Sequence, residues 1–536
     1  MKKLKLVCVA IAMAGAAPTF AGGLLTNTNQ HVAFNRMMSR EASIGIDGVY
    51  YNPAGVVFMG EGHHLAINWQ LAYQTRTINN DYSLFTNNVN NPITPRDFKG
   101  KAFAPVIPSF QYAYNKGKWS FQANFSLTGG GGKCTFDDGL GSFEKIVSET
   151  AIAACGLAGV VDQTLGNKLG QQGMEMFTSD QAFGKTGKYS FNSYMHGRQY
   201  YYGLSVGAAY KFCDNFSAFL GVRGVYALTN YYGYVENINV GNMPLYKVLD
   251  PTKENAANIE LSCDQTGVGF TPIIGVDYKT GRWNFSAKYE FKTRIRLKNK
   301  SVNQTPSIGN LPANLANQMT GILTDKFHNA GLPLEQAKQQ AENTTNAVLN
   351  DPTVGATMMG LKTQFDQKLN KAIGEYEDGK KIAGDIPAYL ALGIGYSPVD
   401  AVRVNVGFHW FDDKNATSYN NRNKELKRGT LEYNAGVEVD VNKKITLSTG
   451  WQNTNYGLSD EYMDDKSFVV GSNSAAIGGV YHINKKMDLN VAYFHTFYQH
   501  KKTSETVQLA ADKSIVYNSD YTRNNNVFAV GLDINF

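Results

Sequence analysis

The stretch WNFSAKYEFKTRIRL, residues 283–297, sorts its side chains into two sets. Trp283, Phe285, Ala287, Tyr289, Phe291, Thr293, Ile295 and Leu297 form one set; Asn284, Ser286, Lys288, Glu290, Lys292, Arg294 and Arg296 form the other. Successive side chains of a strand point to opposite faces, so the pattern predicts one strand with an apolar face and a densely charged face. A single strand of this kind fits a soluble sandwich as well as a membrane barrel. The recurrence of the pattern decides between them.

It recurs along the chain. Leu65, Ile67, Trp69, Leu71 and Tyr73 alternate with Asn68, Gln70 and Gln74; Trp119, Phe121, Phe125 and Leu127 alternate with Ser120, Gln122, Asn124 and Thr128. Val402 to Trp410 and Phe528 to Phe536 repeat it, with small or polar residues between the apolar ones. Read this way, the chain holds fourteen strands, at about 62–77, 100–115, 118–130, 199–211, 215–232, 264–279, 282–298, 386–397, 401–412, 428–441, 444–456, 468–483, 486–501 and 520–536. The 31 Tyr, 29 Phe and 53 Gly, against 15 Pro, agree with a chain rich in strands.

The connections alternate in length. Tight turns fall at 115–117, 213–215, 280–281, 398–400, 442–444 and 484–486, and the others are long, above all 131–198 and 299–385. Short turns at one end and long loops at the other characterise an outer-membrane barrel, as does the even strand count. Tyr114, Trp119, Tyr210, Phe216, Tyr278, Trp283, Tyr396 and Tyr481 gather beside the short turns, where an interfacial aromatic girdle belongs. A secreted sandwich or propeller has no reason to segregate turn lengths in this way. The fold expected is all-β: a 14-stranded antiparallel transmembrane β-barrel, with helical insertions in the extracellular loops.

The first residues read as an export signal. Lys2, Lys3 and Lys5 precede the apolar run 6–17, and Thr19-Phe20-Ala21 offers a cleavage point after Ala21. Losing those three lysines takes the net charge from +6 to +3, too weak and diffuse to argue for nucleic acid. Cys134 and Cys155 share the long loop 131–198 and are candidates for a disulfide in an oxidising compartment. Cys213 at a short turn and Cys263 at the far end of a strand are separated by the height of the apolar band, too far for one bridge.

Between the leader and the first strand, VYYNPAGVVFMG (residues 49–60) reads as an interrupted strand. Pro53 has no N–H for a ladder and Gly55 invites a turn. A fourteen-stranded barrel is wide enough to leak if left empty. The segment 22–60, with Gly45, Gly48, Pro53 and Gly55 and no sustained alternation, is the expected plug. Residues 61–536 then form the barrel.

The run Glu41 to Gly55, with Asn52-Pro53-Ala54 ahead of a barrel that ends on Phe536, resembles the FadL/OmpP1/TodX family of outer-membrane channels for long-chain fatty acids and other hydrophobic compounds. The leader and residues 23–30 resemble a branch from Bacteroides-type bacteria whose members are often labelled haemin receptors. The resemblance implies passive transport in four stages: capture among the loops, passage to a lumen pocket, movement of the N-terminal hatch, and sideways exit through a gap in the wall. It implies hydrophobic small molecules such as fatty acids and outer-membrane lipid as partners, no cofactor and no catalysis. The chain is expected to act as a monomer.

Candidates for each stage follow from the residues. Tyr50, Tyr51, Asn52, Pro53, Ala54 and Gly55 would form the moving part of the hatch. Gly129, Gly130, Gly131 and Gly132 suit either a wall kink or a flexible start to the long loop. Arg223, Lys288, Lys292, Arg294 and Arg403 fall at inward positions and could meet a carboxylate, although lumen charges also pair with one another, and Glu290 stands near two lysines. In 299–385, Met319, Leu323 and Phe327, and Met358, Leu361 and Phe365, recur at helical spacing and could line a hydrophobic capture site or pack as a cap. A haem-binding receptor, with His31, His63 or Tyr50 as ligands, is the alternative function. A barrel enzyme is the weaker rival: His63, His64, His409, His495 and His500 lie near strand ends, without a Ser-His-acid set or metal-ligand spacing.

Overall fold

The computed structural model describes residues 24–536 apart from Gln172, Ser307, Ala511 and Asp512, and without the side chains of Ala510 and residues 364–373. The expected cleavage point after Ala21 lies outside the described residues.

Fourteen antiparallel strands close into one barrel. They are β1 (Gly62–Tyr82), β2 (Arg96–Lys116), β3 (Trp119–Phe136), β4 (Tyr189–Cys213), β5 (Phe216–Val240), β6 (Ile259–Thr280), β7 (Trp283–Glu290, resuming as Arg296–Gln304), β8 (Lys381–Ala383, resuming as Tyr389–Val399), β9 (Val402–Phe411), β10 (Thr430–Asn442), β11 (Ile445–Asn455), β12 (Ser472–Asn484), β13 (Met487–Tyr498, resuming as Lys501–Ala510) and β14 (Lys513–Asn535). Closure is made by β1 and β14, paired from His64 opposite Asn535 to Tyr82 opposite Tyr517. All fourteen expected strands are present, and the loops lengthen on alternate sides as the turn spacing requires.

Alternation places the residues as expected over most of the wall. Ile67, Phe121, Leu220, Phe270, Val406 and Phe528 are exposed on the outside, while Asn68, Gln122, Ser205, Thr271, Asn405 and Asn490 are buried inside. Exposed apolar surface running right round a closed ring is a lipid-facing belt. At its lower edge, Trp119 packs on Tyr210 (4.7 Å between ring centres) and Trp283 on Tyr396 (4.3 Å).

Two departures matter for the site. The first lies in β7, the strand that decided the fold. Glu290 pairs with Ile273, but Lys298 pairs with Thr266, one residue out of step. An extra residue in one strand exchanges its two faces. Above the break Thr293, Ile295 and Leu297 are buried, and Arg294 and Arg296 point outward. The inward placement of Arg294 expected from the unbroken alternation is therefore corrected.

The second lies between β2 and β3. Gly100 to Phe103 pair with Phe136 to Lys133, and Phe110 to Lys116 pair with Phe125 to Trp119. Between these stretches, residues 104–109 and 126–132 do not pair. Pro105 and Pro108 lack N–H groups to donate, and β3 carries register shifts beside Gly129 and Gly132 against β4. Gly130 and Gly131 have φ of 69° and 129°, which side-chain-bearing residues rarely adopt.

The segment from Leu24 to Met59 lies inside the barrel and is buried almost throughout. It is helical where an interrupted strand is expected. α1 (Val32–Met37) is followed by α2 (Gly48–Tyr51) and a 3₁₀ turn (Gly55–Phe58). With no neighbouring strand to pair with over these residues, the backbone satisfies itself in local turns.

The extracellular end is capped by helices: α3 (Gly141–Leu169), α4 (Tyr246–Leu249), α5 (Leu311–Asn329), α6 (Leu334–Leu349) and α7 (Pro352–Ile373). α3 is long and apolar enough to cross a bilayer by length and composition, yet here it packs within the cap. Asn88 donates to its Glu144 (2.8 Å), and Tyr82 donates to its Glu149 (2.9 Å). The wall is uneven in height: β4 and β5 run for 25 residues each, while β9 and β11 run for 10 and 11.

Cys134 and Cys155, the candidates for a disulfide, are instead separate thiols. Cys134 belongs to the upper end of β3, opposite Ala102, rather than to a loop. Cys155 lies on α3, and its thiol donates to the Phe183 carbonyl at 3.4 Å.

Candidate functional site

The Asn-Pro-Ala-Gly turn is held by the wall. Asn52 Nδ2 donates to Asp277 Oδ2 of β6 at 2.6 Å, and Asn52 Oδ1 accepts from the Gly55 N–H at 3.2 Å. Gln122 of β3 donates to the Pro53 carbonyl (2.7 Å), Ser217 of β5 to that of Ala54 (2.7 Å), and Asn115 of β2 to that of Val56 (2.9 Å). A Cβ at Gly55 would sit 2.3 Å from Asn52 Nδ2, so this position admits only glycine while the clamp is closed.

The other end of the hatch meets the gap. The Asn27 N–H donates to the Thr128 carbonyl (2.9 Å), while the side chains of Asn27 and Gln30 donate to that of Leu127 (3.1 and 2.8 Å). Ser109 and Gln111 of β2 both donate to the Gln30 carbonyl (2.6 and 3.0 Å). The hatch thus bridges the two strands at the place where their own ladder is missing. Phe103, Val106, Phe110 and Phe125 are exposed outside this stretch, so the gap opens at the height of the apolar belt.

The expected carboxylate contacts are engaged elsewhere. Arg223 grips Glu290 with both terminal nitrogens (2.6 and 2.9 Å). Lys288 donates to Glu290 (3.0 Å) and to the Tyr50 carbonyl (2.6 Å), with its Nζ 4.1 Å from the centre of the Tyr50 ring. These two cations hold the hatch rather than an empty pocket. Arg403 pairs with Glu438 and Asp440 low in the barrel, and Lys292 donates to the Asn415 carbonyl at 3.1 Å.

Further ties fix the hatch. Arg36 pairs with Glu438 and donates to Asn490 Oδ1 (3.2 Å), and Tyr51 donates to the Thr28 carbonyl (2.7 Å). His409 lies between hatch Glu41 (Nε2 to Oε1, 2.7 Å) and wall Glu432 (Nδ1 to Oε2, 2.8 Å). With carboxylate oxygens on both sides, the ring serves both bonds as an imidazolium with two N–H donors. In the loop above β9, Asp413 accepts from the N–H groups of Leu24 (3.2 Å) and Thr430 (3.0 Å).

Burial lifts the Asp413 carboxyl to about 6, against the lowering effect of those donors. Because this folded-state value lies above the ordinary one, the buried charge costs stability as pH rises from about 4 to about 6, and the cost is constant above that range. At about 1.4 kcal/mol per pH unit it amounts to about 3 kcal/mol. Asp413→Asn should remove that dependence, seen as a flatter plot of unfolding midpoint against pH over 4–7 than the wild type gives.

The cap holds an apolar cavity of about 130 Å³ between α3, the tips of β5 and β6, and α5; Leu157, Phe177, Ile259, Leu311, Leu315 and Leu361 are among its lining. Of the expected capture residues Leu361 lines it. Met319 and Leu323 are fully buried in the cap core, against which Phe327 and Met358 pack partly buried, and Phe365 lies outside the described side chains. The contribution of α3 was missed from sequence. Its Ile146, Val147, Ala153, Ala154, Leu157, Ala158 and Val161 recur at helical spacing, which is the signal that could have found it.

The histidines and tyrosine considered for haem stand apart. His31 accepts from the Ala33 N–H (2.9 Å) and faces Asp533 (3.2 Å), His63 meets Tyr112 at the lower rim (2.7 Å), and Tyr50 is held by Lys288. They do not converge on one space.

The backbone architecture is shared with solved structures. Across 96% of this chain and 100% of its own, a Pseudomonas aeruginosa FadL homologue superposes with a TM-score of 0.57 at 14% sequence identity. The fold is that of this FadL homologue. A deletion mutant of TodX, a monoaromatic hydrocarbon channel, covers 94% of this chain and 98% of its own, with a TM-score of 0.50 at 13% identity. No protein-family model matches the chain, and no curated protein matches it significantly. The FadL-type likeness therefore extends to backbone architecture, and the chemistry of the lumen must be read from this chain's own residues.

Proposed function

We propose that this protein is an outer-membrane channel for passive uptake of hydrophobic small molecules, long-chain fatty acids among the expected classes. The carrying observation is the unpaired stretch between β2 and β3, which faces the belt outside and is closed from inside by the hatch. A water-filled pore would need no opening toward lipid. A ligand leaving through the wall avoids crossing the periplasmic mouth, where the hatch is tied to β2, β3, β5 and β6. The route runs from the cap cavity, down the lumen past the hatch, and out at 104–109 and 126–132. No energy source is required beyond the gradient and the difference in affinity along the path.

Reconstitution tests this reading. Vesicles containing the protein should take up naphthalene or dodecanoate faster than protein-free vesicles, with saturation; equal rates would refute the proposal. The cap cavity makes a second prediction. Ala154→Trp, which fills much of it, should raise the concentration for half-maximal uptake about tenfold, equivalent to about 1.4 kcal/mol of lost binding, and leave the maximal rate unchanged.

A further inference from the structure

Four residues form a two-by-two patch on the lumen face where the barrel closes. In the β1–β14 ladder Gln74 lies opposite Asn525, and Arg76 opposite Arg523. All four point inward and are buried, Arg76 and Asn525 completely. Like charges directly opposite each other weaken a sheet, and a buried guanidinium is costly without a carboxylate.

Elsewhere in this lumen the arginines have carboxylates: Arg36 with Glu438, Arg40 with Asp47, Arg223 with Glu290, and Arg403 with Glu438 and Asp440. Arg76 differs. Its Nε donates to Gln74 Oε1 (3.2 Å), its two terminal nitrogens have no partner, and no described carboxylate comes within ion-pairing distance. Arg523 donates to the same Gln74 oxygen (3.1 Å) and lies over the rings of Phe468 and Tyr498 (5.8 and 5.6 Å). Both amide atoms of Asn525 are also without partners.

The surroundings say what kind of anion fits. Ile78, one inward step above Arg76, belongs with Phe468 and Tyr521 to the apolar cluster that runs up into the cap cavity through Val147 and Phe177. Ala72, one inward step below Gln74, belongs to the apolar layer over the hatch with Ala104 and Leu127. Gln74 itself lines a small recess with Ala72, Ala104, Gly131 and Gly132 at the edge of the wall gap. The patch is thus a polar, cationic stop between two apolar stretches.

We propose that Arg76 and Arg523 form an anion site that takes the head group of an amphipathic monoanion, a carboxylate on an apolar body. The head accepts hydrogen bonds from the free terminal nitrogens of Arg76, a charge-assisted pairing that supplies the missing counter-charge. The body lies along the apolar cluster above or the gap-side layer below. The site rests on the uptake reading for how its ligand arrives, and its binding chemistry stands independently.

Calorimetric titration of the purified protein in uncharged detergent tests this, with dodecanoate and dodecanol as probes. Wild type should bind dodecanoate at least tenfold more tightly than dodecanol. Arg76→Gln and Arg523→Gln should each abolish that preference while leaving dodecanol binding unchanged. Without ligand, Arg76→Gln should melt at a higher temperature than wild type, because it removes the unpaired charge. A preference that survives in both variants overturns the site. So does an equal stabilisation of wild type, absent from Arg76→Gln, by sodium chloride measured against gluconate at the same ionic strength, which would make the occupant an inorganic ion. Naphthalene uptake is measured in parallel. Its absence even in wild type would defeat the uptake reading and leave the dodecanoate preference standing.

Discussion

Ser109→Cys/Ser126→Cys protein, once oxidised, should take up naphthalene at least tenfold more slowly than the same protein after reduction. Continuing the register from Phe110 opposite Phe125 places Ser109 opposite Ser126, at the lower edge of the gap, and both side chains face the lumen. A bridge there would fasten the two strands where their own hydrogen bonds stop. Ligand that leaves by the gap is blocked, while ligand that leaves through the periplasmic mouth is unaffected. The variant also removes the hydroxyl that donates to the Gln30 carbonyl, so the reduced double mutant, rather than wild type, is the reference. Equal rates in the two redox states would show that the gap is not the exit.

Asn52→Ala should act in the opposite direction, opening the channel to hydrophobic probes and to small ions. Asn52 is the only side chain of the Asn-Pro-Ala-Gly turn that reaches a charged wall residue, and its bond to Asp277 is short. A hydrogen bond to an ionised partner contributes about 1.5–3 kcal/mol, so its loss should shift the closed–open balance by roughly ten- to a hundredfold. Asn52→Asp, which sets one carboxylate against another, should exceed that. Pro53→Ala should do less, because Gln122 bonds to the Pro53 backbone carbonyl, which the substitution keeps. Single-channel recording in planar bilayers gives the readout. If Asn52→Ala and wild type have the same open probability, the clamp does not gate the channel.

What was legible in the sequence follows from the range of the interactions involved. Alternation is a property of adjacent residues, and it revealed fourteen strands, the lipid belt and the lower turns. A plug before the first strand was legible because Pro53 and Gly55 exclude pairing locally. Its helical form was not, since Val49, Tyr50 and Tyr51 favour strands and only enclosure without a partner strand overrides that preference. The face exchange in β7 was hidden because 283–297 alternates without a flaw, and the extra residue shows only against β6. Pairing of Arg223 with Glu290 across 67 positions, and of Arg76 with Arg523 at the seam, depends on register between strands. Each arginine could be assigned to the inner face from its own strand, yet neither strand shows what stands opposite.

The ties of the hatch also constrain how the molecule is assembled. Arg36 reaches Glu438 and Asn490, which lie 402 and 454 positions further along the chain, and the turn at Asn52 uses side chains from β2, β3, β5 and β6. The segment nearest the amino terminus therefore finds its last partners only when the final strands are in place. Contacts of such separation form late and slowly. A finished ring would offer this bulky segment only its two mouths, one of them roofed by the helical cap. Insertion and plugging are thus best read as a single event, in which the wall closes round a segment already lying within it.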